Sequence, residues 1–287
     1  TLAIVDDGLA VSAVAGAVLG TGVASGTIVD DDNPIYSIAA DQVTIGEAGG
    51  TVTFTVSRDR DDPLGNADVT VQLSGAAVLN ADYTVAGGTL DVGLGTVTLT
   101  FAAGNTPTQT FTVTASDDTI LELTEAVSGS ITAIVGGAGG QIGVASDTAT
   151  ITDNDVASFD VARTSAASVA EGDPAGTAGV LTFDVTRTLP VGGVEGAISQ
   201  TVTVDLSGTA GLGGDFTVVA DGAARASEPF DLVFTGTETV KTITVTAALD
   251  AVVESDETVQ VDLTAVLGGG AGAVLGAGTT ASGTIAN

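Results

Sequence analysis

Cysteine, histidine and tryptophan are missing from this 287-residue chain, and basic residues nearly so. Without cysteine no disulfide staples the fold and no thiolate serves zinc or nucleophilic chemistry; without histidine, triads built on an imidazole are excluded. The basic residues are Lys241, Arg58, Arg60, Arg163, Arg187 and Arg225, six against 36 Asp and Glu, which leaves a formal charge of -30. Neutralising phosphates takes clustered Lys and Arg, so nucleic acid is excluded as a partner and an anionic membrane surface is disfavoured. Aromatics are 3% of the chain, with only Tyr36 and Tyr83 beside eight Phe. The platforms on which carboxylate-pair glycosidases hold sugar are therefore lacking, and the chain is not expected to be an enzyme. No run of about 18 apolar residues is present, so no direct membrane insertion is expected, and no basic leader precedes an apolar stretch at the start. Residue 1 is Thr rather than Met, which predicts a fragment or processed segment whose export signal or anchor lies outside it.

What is abundant points to a folded all-β protein. Hydrophobic residues make up 44% of the chain, mainly Val, Ala, Leu and Ile, which separates it from acidic disordered tails. Forty glycines among many Thr and Val favour strands and tight turns. An internal repeat organises the rest. VTVQLSGAAVLNADYTV at 69–85 matches VTVDLSGTAGLGGDFTV at 202–218, FTVSR at 54–58 matches FDVTR at 183–187, and DDTILELTE at 117–125 lies over LDAVVESDE at 249–257. A third, partial copy shows in SGTIVDDD at 25–32, which resembles TATITDND at 148–155 and SGTIAN at 282–287. The expected units are a terminal piece 1–33, a full module 34–155 and a second full module 156–287, with acidic joints at Asp30 to Asp32 and Asp153 to Asp155.

Within a module apolar residues alternate with Thr at period two, as in Thr51-Val52-Thr53-Phe54-Thr55-Val56, the pattern of a strand with one buried face. About seven such runs per module, separated by Gly, Asn and Asp, predict tandem antiparallel β-sandwiches of immunoglobulin type. Phe54, Phe101 and Phe111 in one module, and Phe183 and Phe234 in the other, are the expected core aromatics. The Gly-rich stretches 136–140 and 268–272 fall in the last hairpin of each module.

The acids are placed at recurring positions. Glu47 precedes the first long strand, Asp82 follows the strand through Val69 to Leu73, Asp117, Asp118, Glu122 and Glu125 fill one loop, and Asp153 and Asp155 follow the last strand. In a sandwich these loops can converge at one end. Unit charges 4 Å apart repel by about 4 kcal/mol near a protein surface, so such a gathering calls for a cation. Calcium takes six to eight oxygens with tolerant geometry, whereas zinc and copper recruit His or Cys. A lone Asp in a turn serves turn geometry or solubility; recurrence of the whole set is what speaks for a metal.

Four motifs in order carry a family resemblance: Val43-Thr44-Ile45-Gly46-Glu47, the SGAAVLNADY block at 74–83, DDTILELTE, and the strand end Thr150-Ile151-Thr152-Asp153-Asn154-Asp155. They resemble the Calx-beta domain of sodium/calcium exchangers and of long bacterial surface and secreted proteins. The resemblance implies a sandwich whose tip holds more than one calcium ion. In the first full module it implies Glu47, Asp82, Asp117, Asp118, Glu122, Glu125, Asp153 and Asp155 as ligands, with Asn154 departing from the acidic run. In the second it implies Glu171, Asp215, Asp250, Glu254 and Glu257. There Leu249 replaces the first loop Asp and Asn287 aligns with Asp153, so the site is expected to be weaker or to be completed by residues beyond this segment. Asp30, Asp31 and Asp32 would belong to the site of the partial copy.

The function expected from these readings is a calcium-stabilised structural repeat region of a large extracellular or cell-surface protein, such as a stalk, adhesin shaft or filament. The alternative is a regulatory calcium-sensing tandem of a transporter or signalling protein. The expected partners are calcium ions and neighbouring modules of the same chain, with self-assembly into a filament as a further possibility.

Overall fold

Thr-Val alternation becomes edge-on burial in the computed structural model of the protein, which describes residues 33–62, 65–104, 107–137, 139–172, 176–250 and 253–287. Nearly all of the partial copy, including Asp30, Asp31 and Asp32, lies outside the described residues. No helix occurs among the described residues, and so none long and apolar enough to cross a membrane.

The first set of strands is β1 (Ile35–Ala40), β2 (Thr44–Gly46), β3 (Thr51–Arg58), β4 (Ala67–Gly75), β5 (Tyr83–Ala86), β6 (Thr89–Asp91), β7 (Thr96–Phe101), β8 (Thr108–Ala115), β9 (Ile120–Leu121), β10 (Glu125–Gly136), β11 (Gln141–Ile142) and β12 (Ser146–Thr152). The second set is β13 (Val156–Arg163), β14 (Ser168–Ala170), β15 (Val180–Thr188), β16 (Gly193–Val194), β17 (Ser199–Gly208), β18 (Phe216–Ala220), β19 (Ala223–Arg225), β20 (Phe230–Thr235), β21 (Val240–Ala247), β22 (Glu257–Leu267), β23 (Gly272–Leu275) and β24 (Thr280–Ala286). The first set forms sheets β11-β1-β3-β8-β5 and β2-β12-β10-β4-β7-β6; the second forms β19-β18-β21-β15-β13-β23 and β14-β24-β22-β17-β20. The fold is all-β, as the alternation predicts, and each pair of sheets encloses its own hydrophobic core.

In β3, Val52, Phe54 and Val56 point inward while the intervening Thr residues stay at the surface side. The antiparallel register sets Phe54 opposite Phe111 of β8, and their rings stack with centroids 5.0 Å apart. Across the two sheets Tyr36 meets Phe101 edge-on at 5.1 Å, and at the corresponding place in the second sandwich Phe159 meets Phe234 at 5.2 Å. Arg58 and Arg187, both buried, lie over those same rings, Phe101 and Phe234, at 5.6 and 5.7 Å. The core therefore takes in more aromatics than the expected five, since Tyr36, Tyr83, Phe159, Phe216 and Phe230 are buried too. They escape a reading by alternation because most of them open or close strands.

The edges depart from a purely antiparallel sandwich. After Ala40 the chain crosses from one sheet to the other, so β1 pairs with β11 in parallel and β2 with β12 in parallel; β13–β23 and β14–β24 repeat this. Asp41 fixes the crossing, exchanging hydrogen bonds with Thr53 through its own N–H at 3.1 Å and its side chain at 2.8 Å. The crossing delivers Glu47 and Glu171, at the ends of β2 and β14, to the same tip as the last strand.

Two glycines at equivalent places set the opposite side of that tip. Gly75 and Gly208 have φ of +130° and +126°, and a Cβ there would stand 2.0 Å from the carbonyl of Ala126 and 2.1 Å from that of Thr258. Only glycine lets β4 and β17 end so close to β10 and β22, and the turns that follow carry Asp82 and Asp215.

Candidate metal centre

Each acidic side chain is placed by backbone that the sequence repeats. In the turn after β4, the Asp82 N–H donates to the Val78 carbonyl at 2.9 Å while its side chain accepts the Val78 N–H. In the second sandwich the Asp215 N–H donates to Gly211 at 3.0 Å and its carboxylate accepts the Gly211 N–H at 2.6 Å. Each turn is then tied to the loop after β8 or β21, where the N–H groups of Ser116 and Ala248 donate to the carbonyls of Asp82 and Asp215. Glu47 and Glu171 donate their N–H groups to Thr152 and Ala286, both at 2.9 Å.

In the first sandwich Glu47, Asp82, Asp118, Glu122, Glu125 and Asp153 line one small cleft that is partly open to solvent. Glu47, only 3% exposed, accepts the Asp118 N–H at 2.9 Å on Oε1 and the Asn154 N–H at 3.4 Å on Oε2. Asp153 accepts the N–H of Glu122 at 2.9 Å and that of Asp155 at 2.7 Å. The carboxylates of Glu47, Asp153 and Asp155 come within 4.8 Å of one another. Asp117 stands beside them and accepts a hydrogen bond from Asn154 Nδ2 at 2.9 Å, so the departure from the acidic run places a donor among the carboxylates. All eight acids of the first set thus meet at one tip.

In the second sandwich the carboxylates of Asp215, Glu254 and Glu257 lie within 4.8 Å of one another. Glu171, buried, accepts from Asn287 Nδ2 at 3.1 Å. Its charge acts on Glu254 and Glu257, and that of Asp250 on Glu254. This cluster has fewer acids, and Glu254 is exposed.

Electrostatics show the strain of the gathering. Burial pushes the Glu122 carboxyl up to about 8, helped by the charges of Asp82, Asp118, Glu125 and Glu195. Burial raises Glu125 to about 7, aided by a side-chain hydrogen bond with Asp82 and by the charges of Asp82 and Glu195. Burial also raises Glu47 and Asp155 above the usual carboxylate range. Cationic side chains are engaged away from both tips: Lys241 pairs with Asp221 at 2.7 Å and Glu238 at 3.6 Å, and Arg60 with Asp59 at 3.5 Å.

The donor set is carboxylate oxygen without nitrogen or sulfur, one carboxylate oxygen of Asp155 is buried with no hydrogen-bond partner, and the cleft is rigidly framed by backbone bonds. These residues fit a hard divalent cation held by many oxygens, which is calcium rather than zinc or copper. Glu195 is the acid that the repeat pattern misses. The offset between copies rises from 129 at Arg58 and Arg187 to 133 at Val69 and Val202, so the second copy carries four more residues in that interval. They make room for β16, which pairs in parallel with β9 of the first acidic loop.

Residues 30–156 and 176–287 match the sequence pattern of the Calx-beta domain. Among solved structures, the crystal structure of CBD12 from CALX1.2 resembles the chain at 16% identity and a TM-score of 0.35, covering 88% of this chain and 100% of that one. The calcium binding domain CBD12 of CALX1.1 does so at 17% identity and 0.35, over 88% and 99%, and the apo-form Calx CBD1 domain at 18% and 0.30, over 44% and 96%. No curated protein matches it in sequence. With two successive copies of one pattern filling most of its length, the chain belongs to the Calx-beta domain family.

Proposed function

We propose that this chain is a calcium-stiffened tandem within the structural region of a large extracellular or cell-surface protein, a stalk, adhesin shaft or filament. The observation that carries the reading is the double use of the loop 117–125. Asp118, Glu122 and Glu125 face the carboxylate cleft, while Ile120 and Leu121 between them pair with Gly193 and Val194 of the second sandwich. An ion in the cleft removes the mutual repulsion of its carboxylates and so fixes the loop on which the neighbouring module rests. The role is binding and mechanical, with calcium as the ligand and the neighbouring module as partner. Cysteine-free rigidity of this kind suits an exported protein in calcium-rich surroundings.

The test is hydrodynamic radius and melting temperature measured with calcium and with a chelator. The reading expects a more extended, less variable particle and a higher melting temperature with calcium. Identical radius and melting in both conditions would refute it.

A further inference from the structure

The joint between the sandwiches places an acid of the second module beside the acidic loop of the first. Val194 pairs with Leu121 in a parallel register, and the Glu195 N–H donates to the Leu121 carbonyl at 3.0 Å. Continuing that register by one residue sets Glu195 beside Glu122, on strands spaced by about 4.8 Å. Like charges at neighbouring register positions are destabilising, and a third acid, Glu125, feels the charge of Glu195 as well.

A second observation shows what this end of the cleft lacks. Glu122 is only 9% exposed, it lines the cleft, and its carboxylate meets no hydrogen-bond donor among the described residues. At the other end both oxygens of Glu47 and both of Asp153 already accept backbone N–H groups. A carboxylate that no protein donor meets, on a side chain this little exposed, is costly, and the exposed Glu195 stands next to it across the joint.

We propose that Glu195 supplies a ligand to the calcium ion held beside Glu122, so that the first site is complete only when the second module is docked on its loop. This rests on the calcium reading above and adds to it a direct bond between modules through the ion. Ion and interface are then thermodynamically linked: the factor by which docking strengthens ion binding is the factor by which the bound ion strengthens docking.

The test uses the full chain and its Glu195→Gln variant, an exposed substitution that leaves the fold intact by melting temperature. Calcium affinity is measured by calorimetry, and inner-sphere water by terbium luminescence lifetimes in H2O and D2O. The expected result is one class of calcium site weakened by about tenfold and one more water on the bound terbium. Both should persist in 1 M KCl, where the screening length is about 3 Å. Unchanged affinity with an unchanged water count overturns the proposal while leaving the calcium reading standing. So does a loss of affinity that vanishes in 1 M KCl, which marks a through-space charge effect. A wild-type chain that takes up no calcium sinks both.

Discussion

Leu121 belongs by sequence to the acidic loop of the first sandwich, yet its side chain is fully buried in the hydrophobic core of the second, and its carbonyl accepts the Glu195 N–H. The residue adjoining Glu122 is thus an anchor for the neighbouring module. Leu121→Ala is expected to cost about 2–5 kcal/mol, the usual penalty for a large-to-small change in a core. The cost should fall on the second sandwich. Hydrogen exchange that shows weakened protection of β17 and β22, with β3 and β8 unaffected, would bear this out; equal loss in both sandwiches would contradict it.

The raised carboxyls give the protein a pH dependence of definite sign. Glu122 and Glu125 hold protons up to about 8 and about 7, above their unfolded values near 4.5, so between these limits the ion-free folded state binds more protons than the unfolded one. Stability of the chelated protein therefore falls as pH rises from about 4.5 to 8. Thermal melting across this range should show the decline with chelator and a much smaller one with calcium.

Calcium has to displace those protons, and its affinity should rise as the solution goes from about pH 6 to pH 8. Calorimetry in two buffers of different ionisation enthalpy is expected to reveal proton release of about one per molecule near neutral pH. Uptake without proton release would show that the ion does not displace the protons of Glu122 and Glu125.

Glu122→Gln separates the two roles of that carboxyl. Removing a buried, unpaired charge should raise the melting temperature of the chelated protein at pH 8, while loss of a charged ligand weakens calcium by about tenfold or more. The two effects have opposite signs. A variant that lowers the chelated melting temperature and keeps full affinity would place Glu122 among structural residues.

Gly75→Ala tests the other wall of the cleft. The added methyl would collide with the Ala126 carbonyl at 2.0 Å in a positive-φ position, with a cost of about 2 kcal/mol or more. Since Ala126 adjoins Glu125 and Gly75 opens the turn that carries Asp82, calcium binding to the first site should be lost while the second persists. Calorimetric stoichiometry reads this directly, and unchanged stoichiometry would show that the turn adapts.

Much of the architecture was legible in the linear pattern. Val52, Phe54 and Val56, spaced at two, announce a half-buried strand, and the recurrence of the Asp82 and Asp215 blocks at one offset announces equivalent turns. Eight acids in the first full module and five in the second, at strand ends, suggested a shared tip, and the structure brings the first set together at one tip. Glu195 was not legible, because it lies in an interval that is four residues longer in the second copy than in the first, where the repeat gives no residue-by-residue match. The bonds that Asn154 makes to Asp117 and Glu47 were not legible either, since a substitution within an acidic run says nothing about which carboxylate it faces.

Composition and periodicity by themselves determined an all-β chain with repeated carboxylates and no soft metal donors, because backbone alternation and side-chain chemistry are local properties. Tertiary structure decided that β1 and β2 part between sheets, that Leu121 leaves its own sandwich for the next, and that one acid of the second module stands beside the first module's cleft. These depend on register and docking between segments distant in the chain, which are settled by the free energy of burying surfaces together and leave no mark on neighbouring residues.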